Sequence, residues 1–375
     1  MIARLVCSLV LAMAAAGPLA GVSVAWAEAP RTAAYSLPDI LTLAVQHNPT
    51  LAGAEGVVKQ SQGQQIAAGA YPNPSVSGSA GRGAIRDPST GTRVTERTFT
   101  VEQPLEWTGK RQARQEAADA GAAGATAAFE DTRLTLLADV KVAFYQLLFA
   151  QRDADLAAQN FTSVEEVLRT VHARVAAGEA TSFDSMKAGV EVQKAKKARL
   201  NTLTAGSLGK AFSIQGDFES PKTGVNAETL ATQALEQHPA VRRLSKLAEQ
   251  AEHTLRYERE ARVPNISLLG SYHREAGDES VTAGLSMPLP LWYRRQGEIQ
   301  SALGAKHRAD AERLRQQNEL EQAITQHAQE VRTAQDQLQV FETGLLKQAQ
   351  LEYAQVRADL SIALARLERA VGASL

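Results

Sequence analysis

The side chains that could hold a metal or run acid–base chemistry are few and scattered. The seven histidines are His47, His172, His238, His253, His273, His307 and His327. No two are spaced i, i+3 or i, i+4, so no helical zinc site can be read from spacing. His47 and His238 fall at equivalent turns of an internal repeat, as helix-end residues. The single cysteine, Cys7, lies in the N-terminal apolar stretch. No nucleophile elbow or phosphate-binding glycine loop is present. An exported enzyme or metal-binding protein therefore finds no constellation here, and no catalytic residue, metal ligand or cofactor is expected. Two readings without chemistry of their own remain: a passive duct, and a coiled-coil adaptor or scaffold.

The bulk composition narrows this further. The 375 residues carry a net charge of −1, so nothing suggests nucleic acid as a partner. Hydrophobic residues make up 44% but aromatics only 5%, which suits alanine-rich helix packing. Residues 1–27 read as a secretory signal, with Arg4 first, Leu5 to Ala16 apolar, and Ala25-Trp26-Ala27 as the cleavage site. Cys7 falls too early to be a lipid-attachment residue. Beyond residue 27 no apolar run reaches the roughly 18 residues of a spanning helix. If the exported chain enters a membrane, it does so as strands.

The elements are organised around one long helix. Val140, Leu147, Ala154, Phe161 and Leu168 occupy one heptad position, and Ala143, Ala150, Ala157, Val164 and Val171 the other. The helical pattern runs from about Trp107 to about Ala177, on the order of 100 Å at the usual rise. Before it come two helices separated by Asn48-Pro49, with Asn48 as N-cap and Pro49 at the first helical position. Two alternating stretches follow at about 75–103. The sequence then breaks at Gly178 and returns as a helix to about Ala205. Residues 207–225 read as a linker.

The pattern then repeats. Ala234–Pro239 matches Ala44–Pro49 at an offset of 190, which also takes Pro74 to Pro264. An offset of 184 takes Pro104-Leu105 to Pro288-Leu289 and Lys110-Arg111 to Arg294-Arg295. The chain thus divides into a first repeat at 28–206 and a second at 226–375, the latter with a strand pair at about 265–287. In that pair Ile266, Leu268, Gly270 and Tyr272 share one face, with Ser267 and Ser271 on the other. One apolar and one small polar face fits a barrel wall between lipid and water, or a sandwich face over a soluble core. Four strands cannot close alone, and open edges aggregate, which favours the barrel. Pro74, Pro104, Pro264 and Pro288 mark the four helix–strand junctions. Tyr71, Trp107, Trp292 and Tyr293 cluster there, as an interfacial girdle would.

With that architecture in place, the chain resembles the TolC-type outer-membrane efflux proteins, and most closely their heavy-metal cation branch, the outer components of cobalt–zinc–cadmium exporters. The likeness is carried by Ala44-Val45-Gln46-His47-Asn48-Pro49-Thr50-Leu51, by Glu102-Gln103-Pro104-Leu105 with Gly109-Lys110-Arg111, by Arg174-Val175-Ala176-Ala177-Gly178 followed by Asp184 and Ala188, and by 364–372. It implies a mainly α protein with a small β part: coiled-coil hairpins forming a periplasmic α-barrel, and four strands per protomer in a trimeric twelve-stranded barrel. It implies a passive outer-membrane duct for cations, working with a periplasmic adaptor and a proton-driven RND-type inner-membrane pump. Carried over by residue, Gly178 makes the hairpin tip, Arg174 and Val175 flank it toward the adaptor, and Asp184 and Ala188 lie near the gate. Read alone, Asp184 is a surface charge in a first helical turn, favoured by the helix dipole.

The second repeat departs from this pattern. Leu147 to Gly206 is 59 residues, whereas the matching Leu338 to Gly372 is 34, so about 25 residues around a second tip are missing. Either the chain turns near Gly344 as a short hairpin, the reading preferred here, or it runs straight on with Tyr353, Val356, Leu360, Ala363, Leu367 and Ala370 extending its seam. A trimer would then carry three full tips rather than six, and a disabled homologue becomes the alternative to a working duct.

Overall fold

A computed structural model describes residues 33–86, 91, 93–171, 193–194, 196–209, 212–218, 226–275, 278–343 and 349–374. In the first repeat, β1 (Ala33–Tyr35) leads into α1 (Leu37–His47) and α2 (Pro49–Gly69), then β2 (Ser75–Arg86), β3 (Arg93–Leu105) and α3 (Thr108–Val171). A helix α4 spans 196–203, followed by β4 (Phe212–Ile214). The second repeat gives α5 (Ala227–Gln237), α6 (Pro239–Glu260), β5 (Ile266–Glu275), β6 (Asp278–Ser286), α7 (Gln296–Thr343) and α8 (Ala349–Val371). The tip residues Arg174, Val175, Gly178, Asp184 and Ala188 lie outside the described residues, as does Gly344.

Local chemistry sets the helix ends. Ser36 and Asp39 form a capping box at the start of α1. Asn48 caps α2 by accepting from the Thr50 amide at 2.8 Å, with Pro49 behind it. Asn226 caps α5 in the same manner. Both α4 and α8 end on glycines of positive φ, Gly206 at 81° and Gly372 at 84°, the left-handed turn a helix C-terminus favours.

The seam of α3 is buried at Val140, Ala143, Leu147 and Ala150. Along this part it faces more than a return helix. Phe144, Tyr145 and Leu148 are buried too, against Ile40, Leu51, Leu200, Phe212 and Phe218. Four elements, α1, α2, α4 and β4, converge here on one stretch of helix, so the stripe widens from a coiled-coil seam into a compact core. Each such aliphatic or aromatic side chain stabilises the fold by roughly 1.5–3 kcal/mol. Further toward its N-terminus α3 packs on α6 through Ala113, Ala120 and Ala127, all buried at heptad spacing. The approach is close: a Cβ on Gly121 would come within 2.9 Å of the Gln250 amide. Part of 108–156 is long and apolar enough on average to cross a membrane, although polar residues interrupt it. That part is 56% buried among the other helices, so its apolarity belongs to the bundle.

The small strands β1 and β4 pair in parallel, Ala33 to Phe212 and Tyr35 to Ile214. The second of them falls in the stretch 207–225 that reads as a linker. Phe212, buried and edge-on to Tyr35 with ring centroids 6.5 Å apart, is what holds them. The last two helices pack on each other, Leu320, Ile324, Ala328 and Val331 of α7 against Leu360, Ala363, Leu364 and Leu367 of α8. The helix therefore does not run straight on, and Val356, Leu360, Ala363, Leu367 and Ala370 are buried as the seam of α8.

Candidate functional site: a two-faced sheet and its junction with the helices

The four long strands form one antiparallel sheet in the order β2-β3-β5-β6. The register pairs Val76 with Val101, Phe99 with Tyr272, Leu268 with Leu285 and Tyr272 with Val281. Since side chains alternate along a strand, this places Val76, Ala80, Phe99, Val101, Leu268, Tyr272, Val281 and Leu285 on one face. The other face carries Ser75, Ser77, Ser79, Thr98, Thr100, Glu102, Ser267, Ser271, Thr282 and Ser286. Leu269 is an apolar exception on that face. The first hairpin runs further than its side-chain pattern suggests. Arg86 pairs with Arg93 past a register shift, because the backbone ladder continues after the alternation has faded.

Exposure follows the faces in an inverted sense. On β3 the odd-numbered residues of the apolar face, Phe99 and Val101, are exposed, while Thr98, Thr100 and Glu102 are half-buried. On β5, Ile266, Leu268 and Gly270 are exposed, and Ser267, Ser271 and His273 half-buried. On these two central strands the polar face is the more enclosed one, the sense expected of a sheet whose apolar side is convex, while β2 and β6 are exposed on both faces. Val281 is 81% exposed. A water-soluble sandwich would turn that face inward. The polar groups of the convex face include Gln103, opposite Leu268 near the helices, and, toward the loop end, Arg97, Arg82 and the Arg274–Glu279 ion pair at 3.3 Å near the β5–β6 turn. The β5 residues of this face from Ile266 to Tyr272 span about 20 Å along the strand. The concave face is knit by hydroxyls and one imidazole. Ser271 and Thr282 meet at 2.6 Å, and Thr98 meets His273 Nδ1 at 2.9 Å.

The sheet is anchored to the helices by a polar junction. Arg111 donates to the Gly69 carbonyl at 3.0 and 2.8 Å and stacks 4.2 Å above the Tyr71 ring. Arg114 donates to the Ala68 carbonyl at 2.9 Å and the Ala70 carbonyl at 3.1 Å. Both satisfy the free carbonyls at the end of α2, where positive charge is favoured. Arg114 also forks onto Glu106 at 2.5 and 2.9 Å. Gln103 donates to the carbonyls of Pro72 and Pro104 at 3.0 and 2.9 Å. Lys110 of the first repeat reaches Asn265 of the second at 2.5 Å, and within the second repeat Arg295 pairs with Glu258 of α6. Burial pushes the Lys110 ammonium below its ordinary pKa.

The prolines stand at this boundary. Pro74 precedes β2, Pro264 lies two residues before β5, and Pro288 follows β6. Pro104 sits inside the last turn of β3, opposite Ser267, a place the missing N–H leaves tolerable at a strand end. Tyr71, Trp107, Trp292 and Tyr293 are all exposed at the same level, Trp292 at 91%. Tyr293 donates to Glu298 at 2.5 Å and accepts from the Gly297 amide at the start of α7. The Glu106–Arg114 pair and the Lys110–Asn265 contact carry no sequence motif. Only Lys110-Arg111, through its repeat partner Arg294-Arg295, is signalled in the chain.

A bundle of long helices bearing a sheet that is apolar outside and polar inside defines a protomer of a membrane duct. The chain belongs to the outer membrane efflux protein family, which it matches over residues 40–205 and 230–345. It is 28% identical over 305 residues to the cobalt-zinc-cadmium resistance protein CzcC of Cupriavidus metallidurans, covering 76% of this chain and 70% of that one. Its fold is similar to that of a Pseudomonas aeruginosa membrane protein, with a TM-score of 0.71 at 15% identity over 89% of this chain and 92% of the other. It is also similar to the open state of the MtrE outer-membrane channel of Neisseria gonorrhoeae, with a TM-score of 0.67 at 15% identity over 90% and 89%.

Proposed function

We propose that this protein is the outer-membrane duct of a tripartite exporter of heavy-metal cations. The observation that carries the reading is the inverted sheet: an apolar convex face and a polar concave face on four strands with open edges. Three copies joined edge to edge give twelve strands, lipid outside and water within. The aromatic residues at the junction then sit at the inner lipid–water interface, and Pro74, Pro104, Pro264 and Pro288 mark where the barrel gives way to the periplasmic helices. The chain reaches the outer membrane through its N-terminal signal. A periplasmic adaptor and a proton-driven RND-type pump supply docking and energy. Arg174, Val175 and Gly178 meet the adaptor, and Asp184 and Ala188 lie at the gate. Likeness to a cobalt-zinc-cadmium resistance protein supports metal cations as cargo. The duct needs no ligands of its own, since selectivity resides in the pump.

The short α7–α8 hairpin favours a second reading, a relative whose docking is disabled. One experiment separates the two. A strain lacking its cation-efflux outer component, but keeping pump and adaptor, receives this chain or a version with about 25 hairpin residues restored. The native chain is expected to restore growth in zinc, cobalt and cadmium. Rescue by the lengthened version alone would sink the working-duct reading and leave the disabled one.

A further inference from the structure

The two repeats solve one structural problem with different residues. Asn48 and His238, 190 residues apart, each close one helix and open the next. Their backbones are nearly the same, φ −70° and ψ 121° for Asn48 and φ −63° and ψ 130° for His238. Asn48 accepts from the Thr50 amide at 2.8 Å and donates to the Leu203 carbonyl at 2.9 Å. His238 Nδ1 accepts from the Ala240 amide at 3.1 Å, and Nε2 lies 3.0 Å from the Arg369 carbonyl. Leu203 precedes Gly206 by three residues, as Arg369 precedes Gly372. Each side chain thus ties the start of a helix, α2 or α6, to the terminal turn of a return helix, α4 or α8.

An amide makes both bonds at any pH, but an imidazole makes them in one state only. The Ala240 amide is a donor, so Nδ1 must be bare, and the proton must sit on Nε2 to donate to Arg369. A second proton on Nδ1 would set N–H against N–H and break the cap. His238 is 5% exposed, and the ring packs beneath Gly372, whose Cβ, if it had one, would come within 3.0 Å of Cδ2.

We propose that His238 is a proton-operated latch between α6 and α8, closed at neutral pH and released as the surroundings acidify. Protons reach it from a cleft of about 410 Å³ that it lines. The charged groups around the ring pull in opposite directions. From α3, Asp131 favours a protonated ring; from α8 and α6, Arg369 and Arg242 oppose it. Arg243 and Arg366 add positive charge to the cleft, while Glu319 and His327 face it from α7. Burial outweighs these and holds the imidazole below its ordinary 6.5. The sign follows: below 6.5 the opened latch binds a proton that the closed latch refuses, so closure weakens as pH falls. This inference stands independently of the cargo and of the partners.

The test is hydrogen exchange on the full-length purified protein in detergent, corrected for intrinsic rates, between pH 7.5 and 5.5. The Ala240 amide and the amides at 370–372 are expected to lose protection by up to about tenfold across the unit below 6.5. His238→Asn, which installs the first repeat's own residue, is expected to keep both bonds and change less than about twofold. An equal acid loss in His238→Asn, or none in the wild type, overturns the latch. Should His238→Asn fail to fold, Asn48→His decides. It is expected to bring acid sensitivity to the Thr50 amide and the turn at 203–206, and its failure to do so would also overturn the proposal.

Discussion

Val281→Arg is expected to abolish assembly in the outer membrane, while Thr282→Arg, one residue along the same strand, leaves it largely intact. Val281 lies on the convex face opposite Tyr272, toward the loop end of the apolar stretch, and is 81% exposed. An arginine on a barrel's lipid face is unfavourable by about 2–4 kcal/mol at the midplane and by less toward the interfaces, and a trimer would carry three. Thr282 points into the concave face beside Ser271, where water can solvate a guanidinium. The check is the amount of heat-modifiable oligomer in the outer-membrane fraction. Equal yields for the two variants would mean that the convex face does not meet lipid.

The second large effect falls at the junction. Arg114→Ala is expected to destabilise the meeting of α2, β3 and α3 by about 3–5 kcal/mol. The Glu106 side chain is only 6% exposed, so removing its partner leaves a buried carboxylate without its counter-charge. The same change strips donors from the Ala68 and Ala70 carbonyls at the end of α2. Arg114→Lys keeps the charge but loses the two-pronged geometry, and should fall between wild type and alanine. Glu106→Gln in the alanine background should recover part of the loss, with a coupling of about 0.5–3 kcal/mol. Denaturant midpoints of wild type, Arg114→Ala, Glu106→Gln and the double variant complete the cycle. Additive losses would show that Arg114 acts through the helix end alone.

The mid-section of the molecule shows how pattern and packing divide the work. The heptads of α3 mark Val140, Ala143 and Leu147 as buried, and they are. What they face cannot be read from the period. Phe144 and Tyr145 are drawn in by β4 and Phe218, which arrive from about 70 residues away. The strands β1 and β4 hold three residues each, too few to show alternation, and their parallel pairing joins distant parts of the chain. Phe212-Ser213-Ile214, an apolar–polar–apolar triplet in an otherwise polar stretch, is the only trace.

What the sequence determined by itself is everything written in local or periodic terms. Asn48-Pro49 fixes a helix start, because the amide side chain caps and the ring fits the first turn. The alternation of Val, Leu and Phe with Ser and Thr fixes which strand residues share a face, because successive side chains point to opposite sides. The offsets of 190 and 184 fix the duplication. The tertiary structure alone decided which way the sheet curves. Curvature belongs to four strands in register, and it makes the apolar face the convex one. It decided that Arg111 serves the carbonyls of α2 while its repeat partner Arg295 binds the Glu258 carboxylate. It also decided that His238, equivalent to Asn48 by alignment, reaches a carbonyl 131 residues away. Such partners are chosen by where helices end in space, and a pattern with a period of two or seven residues holds no record of that.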